Sequence, residues 1–316
     1  MASVVFYFQV HQPFRLRRYT IFDSDTNYFD DWRNQEICRK VVDKCYLPTT
    51  RLMLELIEAH QGRFRVSYSL TGTVIEQFRL WAPELLELFK ALARTGCVEF
   101  IAETSHHSLA FLYNRGEFIE QTRIHVQQME EIFGQTPAVF RNTELTYNND
   151  VAKVVEDMGF EAILSEGADH ILGYRSPNFV YKPPNCERLR MLLKNYRLSD
   201  DIAFRFGNRD WEGWPLTAEK FAGWVDQING NGYVCNLFMD YETFGEHQWA
   251  DTGIFDFLRA LPGEVMSGGK NDFLTVSEAL HRYPVAGEVD VPHMISWACL
   301  LYTSPSPRDL STPRMP

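Results

Sequence analysis

Apolar runs and amphipathic stretches alternate along the chain. Residues 4–10 form a continuous apolar and aromatic run broken only by Gln9, as expected for a strand covered on both faces. Runs at 64–70, 98–102, 138–140, 162–164, 190–194 and 233–238 predict six more strands. Between them the apolar spacing turns helical. Residues 36–60 predict a helix interrupted at Pro48. Pro83 can open the next helix and Gly96 can close it, with Leu85, Leu88, Phe89 and Leu92 on one face. Further helices are predicted at 116–133, ended by Gly134, at 149–158, ended by Gly159, and from a Thr217 cap to 229. Repeated strand-then-helix order predicts a mainly parallel α/β sheet. About seven strands over roughly 240 residues fit a TIM-type barrel, complete or not. An open doubly wound sheet is the alternative, although no Gly-rich phosphate loop follows an early strand.

Composition narrows the partners. The 316 residues carry a formal net charge of −11, which argues against a nucleic-acid backbone, whose binding needs clustered Lys and Arg. A neutral substrate such as a sugar is compatible, and seven Trp could supply stacking rings. The N-terminus has no basic region ahead of its apolar run, and no run approaches the length of a membrane span. None of the six Cys forms a Cys-x-x-Cys pair. Reduced cysteines in a cytoplasmic protein are therefore expected, with no membrane partner. Oligomeric state is not encoded in any of these features. Residues 299–316 contain four Pro and no periodicity, so disorder is expected there. The stretch also resembles translated sequencing-adapter sequence, so the natural chain is expected to diverge near Ala298 and to continue.

Chemistry concentrates just past predicted strands. His11-Gln12-Pro13 follows the first and Glu103-Thr104-Ser105-His106-His107 the third. Arg141-Asn142-Thr143-Glu144 follows the fourth, and Asp240-Tyr241-Glu242 with the residues to His247 the seventh. In a parallel barrel these clusters meet at one rim, where such enzymes place their sites. Glycoside hydrolysis needs one ionised carboxylate and one that holds a proton. Glu144 and Asp240 are the candidates, and Glu242 and Glu103 are like-charge neighbours able to raise the acid's pKa. The plainer reading of each residue alone is a salt bridge or helix cap, but Glu144 stands too far ahead of the helix at 149 for a simple cap.

These residues bring a family resemblance. The stretch Phe238-Met239-Asp240-Tyr241-Glu242-Thr243-Phe244-Gly245-Glu246-His247, the stretch Phe140-Arg141-Asn142-Thr143-Glu144-Leu145, and His11-Gln12-Pro13 resemble glycoside hydrolase family 57, in its α-amylase-like branch. Residues 98–110 are similar to its second motif, so four of five motifs stand in order. The resemblance implies an incomplete (β/α)7 barrel over 1–265, with 266–298 starting a helical C-terminal region. It also implies a retaining mechanism on α-glucan or malto-oligosaccharide that needs no metal or other cofactor. By motif position Glu144 matches the nucleophile and Asp240 the acid/base. His11 and His107 match substrate-subsite histidines, and Glu242, His247 and Trp249 are implied to shape the site beside Glu103. The fifth motif would begin near Ser296-Trp297-Ala298.

Other features are ambiguous. Trp211 and Trp214 could form a sugar platform or simply pack. Asp200 and Asp201 read as turn residues, His60, His125, His170 and His281 as surface or helix histidines, and Cys235 as core. Hydrolysis and glucanotransfer or branching on the same site remain open. A metal-dependent deacetylase or mannosidase would need His11, His106, His107 and Asp240 as ligands, although no His-x-x-x-His pair occurs. A non-catalytic glucan-binding protein is the reading from another class.

Overall fold

The computed structural model describes residues 1–298. The adapter-like segment 299–316 lies outside them. The strands are β1 Ala2–Val10, β2 Val66–Leu70, β3 Val98–Phe100, β4 Val139–Arg141, β5 Ala162–Ser165, β6 Val180–Lys182, β7 Arg190–Leu193, β8 Val234–Asp240, β9 Asn271–Phe273 and β10 Val285–Glu288. One sheet has the order β3-β2-β1-β8, with β9 also on β1, and the other has the order β10-β6-β7-β5-β4. All pairings are parallel except β6 with β7. All seven predicted strands are present. The three unforeseen ones, β6, β9 and β10, are three or four residues long, too short to impose a pattern of their own.

β1 explains why its sequence is largely apolar: all nine residues are buried, and Ser3 and Gln9 bond to Asp272 and Glu103. Phe6 and Phe8 face a helical layer built from Leu52, Met53, Phe78 and Phe89. Val5 and Tyr7 face the other way, into a core shared by both sheets. That core takes Val139 of β4, Ala162 and Leu164 of β5, Leu192 of β7 and Phe238 of β8. The described residues do not form one closed barrel. The sheets approach at two seams: Ala102 bridges Phe140 in parallel beyond β3, and Asn195 N–H donates to the Asn236 carbonyl at 2.9 Å between the β7 and β8 ends.

The first long helical stretch is Asp31–Val41, a π turn Val42–Tyr46, and Leu47–Ala59. Pro48 sits in the first turn of the last piece. It has no N–H to give, and the local π register accommodates the missing bond without ending the helix. Helices Gly72–Trp81 and Ile254–Met266 were not foreseen. The first opens on a Thr-Gly-Thr stretch and the second contains Pro262, both poor helix signals. Residues 266–298, expected as the start of a helical region, instead supply β9, helix Val276–Arg282 and β10. Leu274, Val276, Leu280 and Trp297 are buried in the same core as Val5 and Tyr7. Cys38, Cys45, Cys97, Cys186 and Cys235 are buried free thiols. No helix among the described residues is long and apolar enough to cross a membrane.

Candidate active site

A cavity of about 400 Å3 opens at the C-terminal ends of β4, β5, β7 and β8, and Glu144, Asp240 and His247 all line it. Glu144 is placed by a strained turn. It and Leu145 both have left-handed backbones, with φ of 54° and 48°, at a cost of roughly 1–2 kcal/mol each for a side-chain-bearing residue. Surrounding bonds hold the turn. Asn142 Nδ2 donates to the Thr146 carbonyl at 2.9 Å, and Ser296 Oγ donates to the Glu144 carbonyl at 2.7 Å. The carboxylate itself accepts from Trp297 Nε1 at 2.7 Å and lies 3.3 Å from His107 Nε2.

Behind Glu144 runs a buried chain of charge. His107 Nδ1 is 3.1 Å from Glu103 Oε2, and Gln9 Nε2 donates to Glu103 Oε1 at 3.0 Å. His11 stacks on His107 with centroids 4.1 Å apart, its Nδ1 3.0 Å from Thr71 Oγ1. The fully buried Arg141 guanidinium lies 4.0 Å from Glu103 and 5.0 Å from the Trp297 ring centre, with no hydrogen-bond partner among the described residues.

These contacts push the two candidate carboxyls apart. Hydrogen bonding from His107 outweighs burial, and with Arg141 and Trp297 it lowers the Glu144 pKa to about 2. Burial opposes charge on Glu103 too, but His107 and Arg141 prevail and lower it to about 2. Burial disfavours charge on His107, yet its bonds to Glu103 and Glu144 raise its pKa. Burial, with the neighbouring His107, lowers His11 to about 3, leaving it neutral. Asp240 is raised by burial, against Arg141 and His247, with the charge of Glu144 adding to the rise. Its carboxyl has no hydrogen-bond partner among the described residues and faces the cavity.

Glu242 lies beneath this surface. It accepts from Tyr46 Oη and from Gln12 Nε2 at 3.3 Å, without lining the cavity. Burial, then the charge of Asp240, push it up to about 8. The unfolded chain releases this proton near the ordinary 4.5. Between those values the folded state therefore binds more protons, and stability falls as pH rises. Glu242→Gln removes the titration, so the melting temperature of the variant relative to the parent is expected to rise steadily between pH 5 and pH 8, read by calorimetry. A pH-independent difference would mean an ordinary carboxyl. Gly245 in the same motif approaches the Lys44 carbonyl so closely that a Cβ would stand 2.2 Å from it, which is why glycine occupies this place.

The tryptophans are distributed differently from the expectation. Trp211 packs edge-on against Trp224 at 6.1 Å, Trp214 is exposed under Arg209, and Trp249 is exposed beneath Lys44. None lines the cavity. Trp297 does, together with Glu166, Lys194, Asp200 and His170. Asp200, expected to be a turn residue, holds Lys194 at 3.1 Å. His125 is wholly buried within its helix, its Nε2 2.7 Å from the Leu70 carbonyl. Glu166 and Lys194 stand one residue beyond β5 and β7, so the strand-end rule, extended to the weaker strands, would have found them. The set His11, His106, His107 and Asp240 does not converge. His106 is exposed and turned to Ser105 Oγ, and no group of three His, Cys, Asp or Glu among the described residues could hold a metal ion.

Two carboxyls on one cavity, the pKa of Glu144 lowered and that of Asp240 raised, at the strand-end rim of a parallel α/β framework are the pairing a glycoside hydrolase needs. The family model described as Glycosyl hydrolase family 57 matches residues 5–292, and the chain belongs to that family. A Methanocaldococcus jannaschii protein described as "Putative alpha-amylase" is 48% identical over 301 residues, covering 93% of this chain and 63% of its own length. The chain thus spans under two thirds of that relative. Solved structures share the fold. A 4-alpha-glucanotransferase from Thermococcus litoralis aligns with TM-score 0.73 at 16% identity, over 95% of this chain and 43% of its own. A GH57-type branching enzyme from Pyrococcus horikoshii aligns with TM-score 0.65 at 15% identity, over 94% and 73%.

Proposed function

We propose that this protein is a retaining, α-amylase-like hydrolase of α-1,4-glucans that works by double displacement. Asp240 protonates the glycosidic oxygen while Glu144 attacks the anomeric carbon. A β-linked glycosyl-enzyme forms, and Asp240, now ionised, takes a proton from the water that releases an α-configured sugar. One observation carries the reading: within one cavity His107 and Trp297 lower the pKa of Glu144 to about 2, while burial raises that of Asp240. His11, Glu103, His107, Glu242 and His247 would shape the inner subsite. The exposed Trp249 would serve an outer glucose, whereas Trp211 and Trp214 are left out of the site.

The α-glucan substrate is supported by family membership and by the description of the M. jannaschii relative. The same site would perform glucanotransfer or branching if a sugar hydroxyl rather than water accepts the glycosyl group, and the names of the T. litoralis and P. horikoshii proteins keep that second reading open. For the framework, we propose that the two sheets are arcs of one incomplete (β/α)7 barrel of β1 to β5, β7 and β8. The shared inner core and the seams at Ala102 and Asn195 support it, and that core extends the unit past residue 265 to 298. A cytoplasmic setting is consistent with the buried free thiols.

Digestion of maltoheptaose followed by NMR tests the mechanism. The first-formed reducing ends are expected as the α-anomer, and chain lengths should only decrease. Initial β-anomer would overturn the retaining mechanism, and a ladder of chains longer than the substrate would make the protein a transferase.

A further inference from the structure

Besides Glu144 and Asp240, the cavity wall carries Asp169 and a tighter cluster that the displacement does not use: Glu166, Lys194 and Asp200. Lys194 Nζ lies 3.1 Å from Asp200 Oδ1 and 3.7 Å from Glu166 Oε2. Glu166 Oε1 accepts the Gly167 N–H at 2.9 Å. The Lys194 and Glu166 side chains are only 7% and 1% exposed. The cluster is rigidly based, because Gly167 presses against the Lys194 backbone so closely that a Cβ would stand 2.2 Å from its carbonyl oxygen. It is also tied to the nucleophile. Lys194 Nζ lies 5.2 Å from the centre of the Trp297 ring, and the N–H of that ring donates to Glu144.

Burying charges at this depth costs several kcal/mol per ion, and an apolar trio would hold the fold at least as well. The cluster therefore points to a ligand. With one cation and two carboxylates it adds negative charge to a cavity that already holds Glu144 and Asp240, so a phosphorylated or acidic sugar is disfavoured. A neutral polyol fits. An ammonium that only donates, beside a carboxylate that only accepts, is complementary to two neighbouring hydroxyls that each do both. We propose that Lys194 and Asp200 bind a pair of adjacent hydroxyl groups on the glucosyl unit seated against Glu144, with Glu166 holding the ammonium in place. This rests on the glycosidase reading of the site and adds to it a determinant of sugar configuration.

The test uses α-glucosyl fluoride and its 2-, 3-, 4- and 6-deoxy analogues, followed by fluoride release. Fluoride leaves without a proton, so Asp240 is not limiting in the first step. Lys194→Met and Asp200→Asn are each expected to lower kcat/KM on the parent fluoride by about 10- to 100-fold, the weight of a hydrogen bond to a charged group. On the one or two deoxy analogues that lack a contacted hydroxyl, the parent protein already loses that factor, and the substitutions should cost under about 3-fold more. Both variants should single out the same or adjacent positions. Lys194→Met leaves two carboxylates unpaired and can weaken the fold, whereas Asp200→Asn keeps the pair with Glu166 and carries the test alone if needed. Equal losses across the whole series, with the parent active, would overturn this proposal and leave the glycosidase standing. A parent protein inert toward both the fluoride and maltoheptaose would remove both.

Discussion

Glu144→Gln is expected to lower malto-oligosaccharide turnover by about 10⁴-fold or more, in the range found when a covalent nucleophile is removed. The amide is nearly isosteric. Its oxygen can still accept from Trp297 Nε1, which is 2.7 Å from the native carboxylate, so the variant should fold, with a melting temperature lowered by the lost charge contact to His107. The loss would then be chemical, because an amide oxygen cannot form the glycosyl ester. Shortening the residue gives a complementary result. Glu144→Ala opens space beside the anomeric carbon, and added azide should restore part of the turnover of α-glucosyl fluoride, yielding the β-glucosyl azide. A folded Glu144→Gln variant that keeps more than about 1% of parental turnover would place the nucleophile elsewhere.

Much of this site could be read before any coordinates because of where carboxylates fall against apolar runs. β1, β4 and β8 are buried along almost their whole length, so their sequences are mostly apolar and the polar cluster at the end of each marks the rim. Three aspects were illegible for physical reasons. The strained turn at Glu144 is held from outside by Ser296, about 150 positions on, a long-range contact that no local pattern encodes. The buried Arg141 stands beside Glu144 in the same strand-end cluster, but only its packing beneath Trp297 reveals a cation without hydrogen-bond partners. The tryptophans misled in the opposite direction. Trp211 and Trp214 looked like a platform because of their spacing in a loop, yet Trp211 is used to cover Gly213 and to pack on Trp224. The ring that reaches the cavity is Trp297, brought there by a segment that first adds β9 and β10 to the two sheets.

Asp240→Asn should separate the two halves of the reaction. With a sugar leaving group the asparagine cannot supply the proton, and kcat/KM is expected to fall by about 10²- to 10⁴-fold, the usual weight of general acid catalysis. With α-glucosyl fluoride the first step needs no proton and should proceed at close to the parental rate. The second step still needs a base, so a burst of fluoride equal to the enzyme concentration should precede slow turnover, and mass spectrometry should find the glucosyl group on the protein. The pH profile provides an independent check. In the parent, activity falls at low pH only as Glu144, held near 2, gains its proton, so the acid limb should lie far below neutrality. The alkaline limb is assigned to Asp240, whose pKa burial raises above the ordinary value. In Asp240→Asn the fluoride burst should lose the alkaline limb and keep the acid one. A burst that still declined at high pH in the variant would assign the alkaline limb to another group, with the buried Glu242 as the next candidate because its pKa is pushed up to about 8.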